Sequence, residues 1–195
     1  MEIIKQQIEG KMPFDNLETE RLLLKKIASD DAPQIQQKFP HWEIVKYLDS
    51  NAVPWPYPDD AAEYFVNNIA HPAIQSGKAW IWSIRMKNNP DELIGVIGLY
   101  DNPNNNRGFW LSFEYQGQGL MREACEKVTD YWFHILDQPV LRTQKASINQ
   151  SSKKISSEQG ARIIKVEKKR YVSGIYDNET WEITREEWLN RNHPL

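Results

Sequence analysis

Cysteine is the scarcest reactive residue in this chain of 195 residues. Cys125 is the only one, so no internal disulfide can form, and nothing suggests a thiolate metal site. The four histidines stand far apart, at positions 41, 71, 134 and 193, without the spacing of metal ligands. The sequence therefore predicts a protein with no metal and no disulfide.

Long apolar runs and excess positive charge are also missing. No stretch approaches the roughly 20 apolar residues of a membrane span, and the opening "MEIIKQQIEG" lacks the apolar run of a signal peptide. The formal net charge is −3, from 24 basic and 27 acidic residues, which disfavours a general nucleic-acid binder. We expect a cytoplasmic protein that binds neither membrane nor nucleic acid.

Aromatic residues are abundant instead, with eight Trp and eight Tyr, which is enough for a large core and part of a pocket. The length suits one domain with a single core. We expect a leader over 1–16, a domain over 17–188 and a tail over 189–195.

Hydrophobic periodicity predicts alternating strands and helices. Strands are expected at 17–27, 79–87, 93–101, 109–113 and 140–148, and a "YDN" turn is expected to join two more near the end. Short helices are expected on either side of Pro40. Another helix is expected after the loop 53–60, with Tyr64, Phe65 and Ile69 on one face. The clearest amphipathic helix covers 120–136, with Cys125 as a structural thiol and an Arg122–Glu126 pair on its outer face. A last short helix is expected to end at Gly160.

The stretch "YQGQGLMREA" (115–124) places two glycines where that amphipathic helix must begin. Glycine is costly in a helix, so Gly117 and Gly119 indicate a backbone requirement. A phosphate cradle of N–H groups and a plain tight turn fit the glycines equally well. A P-loop is excluded because no Lys-Ser/Thr pair follows the glycines. A dinucleotide-binding fingerprint is excluded because Arg122 occupies the position where that motif requires a third Gly or an Ala.

Four stretches in consistent order resemble the GNAT superfamily of N-acetyltransferases, in particular the ribosomal-protein alanine/serine (RimJ/RimL-like) branch. They are "LETERLLLKKI", "ELIGVIGLYD", "FWLSFEYQGQGLMREA" and "INQSSKKISSEQGAR", and the likeness covers about nine-tenths of the chain. The resemblance implies an α/β (α+β) single domain, in which a mixed, mostly antiparallel twisted sheet of about seven strands is flanked by helices.

The same resemblance implies where acetyl-CoA binds. The third stretch matches the signature Gln/Arg-x-x-Gly-x-Gly/Ala, with Met121 where Gly or Ala is usual. The backbone that would hold the pyrophosphate comprises Gln116, Gly117, Gln118, Gly119, Leu120 and Met121. The strand edge at Trp110 and Leu111 would bind the pantetheine amides. Asn149 and Ser152 are the candidate catalytic residues, of which Asn149 would bind the pantetheine arm and Ser152 would protonate the leaving thiolate. Arg107 and Gly108 stand where an acidic residue is common in the family.

The acceptor is expected to be a primary amine, either on a small molecule or at a protein N-terminus. Trp55, Tyr57 and Glu43 are the candidate acceptor-binding residues, although both aromatic residues also fit a role in covering the core. Glu43, Glu114, His41 or a water remain open as the base. A non-catalytic acyl-CoA-binding module and a peptide-binding protein are the alternative functions, and both a monomer and a homodimer are compatible with the sequence.

Overall fold

The structure is a computed structural model that describes residues 14–191. Its strands are β1 (Leu17–Glu18), β2 (Leu22–Lys26), β3 (Ala79–Met86), β4 (Asn89–Tyr100), β5 (Arg107–Leu111), β6 (Val140–Ala146), β7 (Arg162–Tyr171) and β8 (Gly174–Thr184). Its helices are α1 (Ala32–Lys38), α2 (Trp42–Val45), α3 (Ala61–Gln75, π-helical over Phe65–Ala70), α4 (Leu120–Ile135, π-helical from Tyr131), α5 (Gln150–Glu158) and α6 (Arg185–Asn190).

The strands form two sheets, one in the order β1-β2-β3-β4-β5 and the other in the order β6-β8-β7. All pairings within these sheets are antiparallel. Helices flank both sheets, so the expected fold class is confirmed, with the strands divided between two sheets.

The core lies on both faces of β3 and of β4 from Leu93 onward, where the side chains are almost all buried. On one face, Trp80 and Trp82 pack with α4 through residues such as Val128. On the other, Ile81 packs with α1 and α3. A strand buried on both faces reads as a nearly continuous apolar run, which is the pattern of 93–100.

The two ends of the expected domain extend slightly further than the sequence predicts. Phe14 packs edge-on against Trp82 at 5.2 Å between ring centroids, and Asp15 accepts a hydrogen bond from the Trp82 indole at 2.8 Å. Part of the expected leader therefore docks on the first sheet, and α6 reaches Asn190. Residues 1–13 of the leader and 192–195 of the tail lie outside the described residues.

The expected face of Tyr64, Phe65 and Ile69 on α3 borders a cavity, and a separate face of small residues packs on the sheet. Tyr64 is 60% exposed and Ile69 is 51% exposed, whereas Ala62, Val66 and Ala70 are fully buried. Small residues let this helix lie close against the sheet, whereas Tyr64 and Ile69 are exposed and Phe65 packs partly against the core.

Two local predictions near the surface are wrong. The last two strands are joined at residues 172–173, and the "YDN" segment lies inside β8, where Asp177 pairs with Lys168 at 2.7 Å. Arg122 forms an ion pair with Glu158 at 3.4 Å. Glu126 instead contacts Arg191, so the expected helix-surface pair does not form.

Asn106 joins the two sheets just before β5. Its main chain donates to the Arg142 carbonyl at 2.7 Å, and its Oδ1 accepts from the Arg142 N–H at 2.7 Å. Its side-chain amide donates to the Tyr100 carbonyl at 3.2 Å and the Asn102 carbonyl at 2.6 Å. Past this point no strand of the described chain pairs with the free edge of β5, so β5 and β6 separate.

Replacing Asn106→Ala is expected to destabilise the fold by about 2–3 kcal/mol, because it leaves a part-buried N–H and two carbonyls without their partner. Asn104→Ala is the matched control, since the exposed Asn104 uses only its main chain, at 2.9 Å from Asn102 Oδ1. Urea denaturation measures both variants. Equal stability of the two would contradict the assigned role.

Candidate functional site

The turn before α4 requires glycine for its backbone conformation. Gly117 has φ +75° and Gly119 has φ +78°, a left-handed region that side chains disfavour. Space is not the reason, because a Cβ at Gly117 would meet nothing within 4 Å. At Gly119 the nearest atom would be Nη2 of Arg21, at 3.6 Å.

This turn leaves a run of main-chain N–H groups unpaired. Among the described residues, no acceptor faces the N–H groups of residues 117–121. Gln116 does not share this property, since its N–H donates to the Phe113 carbonyl at 3.1 Å and its side chain donates to the Leu111 carbonyl at 2.9 Å. The run lies at the N-terminus of a helix, where the dipole also favours an anion.

Glu123 in the first turn of α4 anchors the turn to the first sheet. Its carboxylate accepts from Thr19 Oγ1 at 2.5 Å, from the Arg21 N–H at 2.9 Å and from Arg21 Nε at 2.7 Å. Arg21 also donates to the Gln118 carbonyl at 3.1 Å. Although burial opposes ionisation, these hydrogen bonds keep the pKa of Glu123 below its usual value. The "TER" triplet gives the sequence signal for this anchor, which sequence reasoning used only to assign a strand.

The register of β5 decides which of its main-chain groups face outward. Leu111 stands opposite Gly95, and the Ser112 N–H donates to the Ile94 carbonyl at 2.8 Å. Because bonded and non-bonded pairs alternate, Trp110 exchanges its hydrogen bonds with Val96 in β4. The outward main-chain groups are therefore those of Phe109 and Leu111, and the side chain of Trp110 lines the gap.

Two cavities occupy the gap between the sheets. A cavity of about 510 Å³ extends along the glycine turn, and we call it the turn-side cavity. A cavity of about 550 Å³ lies against α1, α3 and β6, and we call it the helix-side cavity. Trp110, Asn149 and Ser152 line both, so the cavities meet at these side chains.

The meeting point lies at the start of α5. Asn149 is the N-cap, and its Oδ1 accepts from the Ser152 N–H at 3.2 Å and from Ser151 Oγ at 3.0 Å. Within the described chain, neither the Asn149 side-chain NH₂ nor the Ser152 hydroxyl has a hydrogen-bond partner. Both groups are thus free to contact a ligand.

Most of the predicted cofactor residues come together, and the predicted acceptor residues do not. Besides Trp110, Asn149 and Ser152, the turn-side cavity is lined by the predicted residues Leu111, Gln116, Gly117, Gly119, Leu120 and Met121. Gln118 is not among its lining residues, and its carbonyl bonds Arg21. Tyr57 lines the helix-side cavity, where burial raises its pKa to about 12.

Trp55 lines neither cavity, because it lies on the exposed loop against Trp42, 6.0 Å between ring centroids. Glu43 lines the turn-side cavity and forms an ion pair with Lys46 at 2.5 Å. The other candidate bases are occupied at the surface. His41 caps α2 and Glu114 pairs with Lys38 at 3.3 Å.

Sequence reasoning missed the role of two buried cations. Arg107 donates through Nη1 to Thr129 Oγ1 at 2.6 Å and to Gln159 Oε1 at 2.9 Å, which ties β5 to α4 and α5. Lys145 donates to Thr143 Oγ1 at 2.8 Å and Ser156 Oγ at 2.5 Å. Burial, followed by the charge of Arg107, lowers the pKa of Lys145 to about 7. Neither residue stands in a recognisable motif, which explains the omission.

Neither a metal-binding cluster nor a membrane-spanning helix is found in the part of the chain that the structure describes. Residues 14–191 contain no cluster of three or more His, Cys, Asp or Glu side chains that could hold a metal ion. None of their helices combines the length and the apolar character needed to cross a bilayer. Cys125 is buried in the core, and burial raises the pKa of its thiol.

Comparison with known proteins identifies the family. Residues 21–162 match the model of the acetyltransferase (GNAT) domain, so the chain belongs to the GNAT family and is an acyl-CoA-dependent N-acetyltransferase. It is 30% identical over 128 residues to the uncharacterized N-acetyltransferase p20 of Bacillus licheniformis, a match that covers 64% of this chain and 69% of p20.

Solved structures share the fold. RimL, a ribosomal L7/L12 alpha-N-protein acetyltransferase solved in complex with coenzyme A, superposes with a TM-score of 0.72 at 18% identity, over 85% of this chain and 95% of RimL. The microcin C7 self-immunity acetyltransferase MccE, solved with acetyl-CoA and AMP, gives a TM-score of 0.69 at 18% identity, over 85% of this chain and 93% of MccE. The expected GNAT fold is confirmed.

Lys145 makes the stability of the fold depend on pH. The pKa of its amine is 10.5 when unfolded and about 7 when folded, so the unfolded state holds the extra proton between these values. Stability therefore rises as the pH increases from about 7 to about 10.5. One pKa unit corresponds to about 1.4 kcal/mol, so even part of this shift is measurable.

Replacing Lys145→Met is expected to flatten that rise and to leave stability at pH 7 equal or higher, because a buried charge is removed. Thr143 and Ser156 stay within 3.4 Å of each other and can pair. Urea denaturation from pH 6.5 to 10 measures the effect. If the free energy of unfolding of the variant rises with pH as steeply as that of the parent protein, Lys145 is not the titrating group.

Proposed function

We propose that this protein transfers the acetyl group of acetyl-CoA to a primary amine by direct attack in a ternary complex. The observation that carries the proposal is the run of free N–H groups at residues 117–121, opening into a cavity that meets a second cavity at Ser152. An anionic carrier enters from one side and an amine from the other.

The turn-side cavity is assigned to the cofactor. The N–H groups of residues 117–121 and the dipole of α4 would bind the pyrophosphate without a lysine. The outward main-chain groups of Phe109 and Leu111 would bind the pantetheine amides, with the Leu111 carbonyl already engaged by Gln116. The free amide NH₂ of Asn149 would donate to the pantetheine arm. This path directs the thioester toward the meeting point of the two cavities.

Chemistry is assigned to that meeting point. As the amine nitrogen bonds the acetyl carbon and the carbon–sulfur bond breaks, the Ser152 hydroxyl donates a proton to the leaving thiolate. The proton that the nitrogen loses on becoming an amide returns to Ser152 through water, which restores the hydroxyl. The ammonium of the acceptor loses its proton to water, because the one carboxylate that lines the helix-side cavity, Asp49, is held in an ion pair with Lys169 at 2.9 Å. No acetyl-enzyme forms, in keeping with the buried position of Cys125.

Cofactor binding and turnover can be tested separately. We expect acetyl-CoA to raise the melting temperature of the protein, since a ligand that binds only the native state stabilises it. Release of free thiol with a panel of amines then measures transfer. Stabilisation without turnover on any amine would favour a non-catalytic acyl-CoA-binding module. The absence of stabilisation would overturn the proposal.

Gly119→Ala is expected to weaken coenzyme A binding about tenfold or more, because relaxing the left-handed φ turns the N–H groups away from the phosphate. Gly77→Ala is the matched control, because Gly77 has φ +70° and a Cβ added there would meet nothing within 4 Å. Both variants should lose about 1–2 kcal/mol of stability. Calorimetric titration measures the affinity for coenzyme A. Equal affinity in the two variants would show that the N–H groups of residues 117–121 do not bind its phosphate.

Ser152→Ala is expected to lower kcat about 100-fold, the usual minimum for a general acid, while coenzyme A affinity stays the same. Ser157→Ala, at an exposed position of the same helix, should retain full activity. Steady-state kinetics and calorimetry measure the two quantities. An unchanged kcat would remove Ser152 from the mechanism.

A further inference from the structure

The helix-side cavity contains two buried cations that lack an acidic partner. Arg107 is 4% exposed and Lys145 is 6% exposed, and both line this cavity. Within the described residues, neither lies within ion-pair distance of a carboxylate. Buried charges in proteins are normally paired, so this arrangement is unusual.

The partners of both groups are neutral. The amine of Lys145 has the hydroxyls of Thr143 and Ser156, and it lies 5.4 Å from the ring centroid of Trp181. The side-chain hydrogen bonds of Arg107 to the described chain all leave from Nη1, and its buried Nε has no partner there. The guanidinium therefore keeps unused donors.

The other charges near this pair are already used. Glu179 on β8 accepts from Lys153 at 2.9 Å and from the Trp181 indole at 2.9 Å. At the cavity wall, Lys169 and Asp49 neutralise each other. With Lys145 protonated, the ionised groups that line the cavity sum to about two positive charges.

The remaining walls are largely aromatic and apolar. They include Phe39, Tyr57, Phe65, Val96, Tyr100 and Trp110. A volume of about 550 Å³ lies in the range of small-molecule sites. The cavity thus combines room for a compact apolar body with an excess of positive charge.

Resting on the proposed function, we propose that the acceptor is a small amine with an aromatic or apolar body and an anionic group, a carboxylate or a phosphate, which binds at Lys145 and Arg107. The anion supplies the countercharge that the protein lacks at this place. It also keeps Lys145 protonated, because a neighbouring negative charge favours the charged amine. Polyamines are disfavoured by the same charges.

The test uses binding probes that need no turnover, in the presence of saturating coenzyme A so that the N–H groups of the glycine turn are occupied. The probes are 3-phenylpropionate, 2-phenylethylphosphonate and the neutral 2-phenylethanol, titrated by calorimetry. At least one anion should bind about tenfold or more tightly than the alcohol. Comparison of the carboxylate probe with the phosphonate probe identifies which anionic group the cavity prefers.

Variants then locate the interaction. Lys145→Met should abolish the preference for the anion, Lys145→Arg should retain most of it, and the exposed Lys168→Met should leave it unchanged. Anion affinity should also fall between pH 6.5 and 8.5 as free Lys145 loses its proton. The charged or titratable groups around it are Arg107 on β5, Cys125 on α4, Lys153 on α5 and Glu179 on β8.

Three results would overturn the inference. They are equal binding of the three probes, no binding of any probe up to about 10 mM, and a preference that survives Lys145→Met. These results are distinguishable from failure of the proposed function, which would appear as a loss of coenzyme A binding itself. Acetylation of phenethylamine as fast as phenylalanine would also contradict the inference while leaving the acetyltransferase assignment intact.

Discussion

The separation of β5 from β6 is the constraint on which the rest of the structure depends. The two sheets are joined at Asn106, and beyond it β5 keeps one edge without a strand partner in the described chain. An unpaired edge presents main-chain donors and acceptors in a fixed row, which an extended amide chain can complete. The gap also lets two cavities meet through the middle of a domain whose helices cover the sheets.

A second constraint is that the proposed anion cradle is made of backbone. Gly117 and Gly119 provide the left-handed conformations, and the anchor of Glu123 to Thr19 and Arg21 fixes where the turn lies. In the proposed cradle, residue 121 contributes its N–H group, so a Met side chain is compatible with the position where the family signature has Gly or Ala. The anchor of Glu123 also makes the site depend on the turn between β1 and β2, which is distant in sequence, through a single carboxylate.

The sequence predicts these backbone features well because they leave local signals. The glycine spacing and the amphipathic face of α4 are each decided by a few neighbouring residues, and both appear in the structure. The order of strands also follows from the periodicity. The turn between β7 and β8 is misplaced because "YDN" is a typical turn sequence, and pairing of Tyr171 with Gly174 sets the real turn instead.

The sequence does not reveal the surroundings of a side chain when they come from elements that are distant in the chain. Trp55 is a reasonable ligand-binding residue by composition, yet its position on the exposed loop is set by packing that no local rule contains. Lys145 is the opposite case, because a lysine in a strand normally indicates a solvent-exposed face and yet this one is buried. Only the packing of α5 and β8 over it turns an ordinary surface residue into a buried amine.

The buried cations bear on why this chain keeps a costly arrangement. An Arg and a Lys without acidic partners lower the stability of the empty protein, and apolar residues of similar volume would fill the space at less cost. Arg107 has a structural use, since it ties β5 to α4 and α5. Within the described chain Lys145 bonds two hydroxyls that can pair with each other, so local structure gives no comparable reason for it. The proposed negatively charged acceptor would supply such a reason, because its binding would turn this cost into binding free energy.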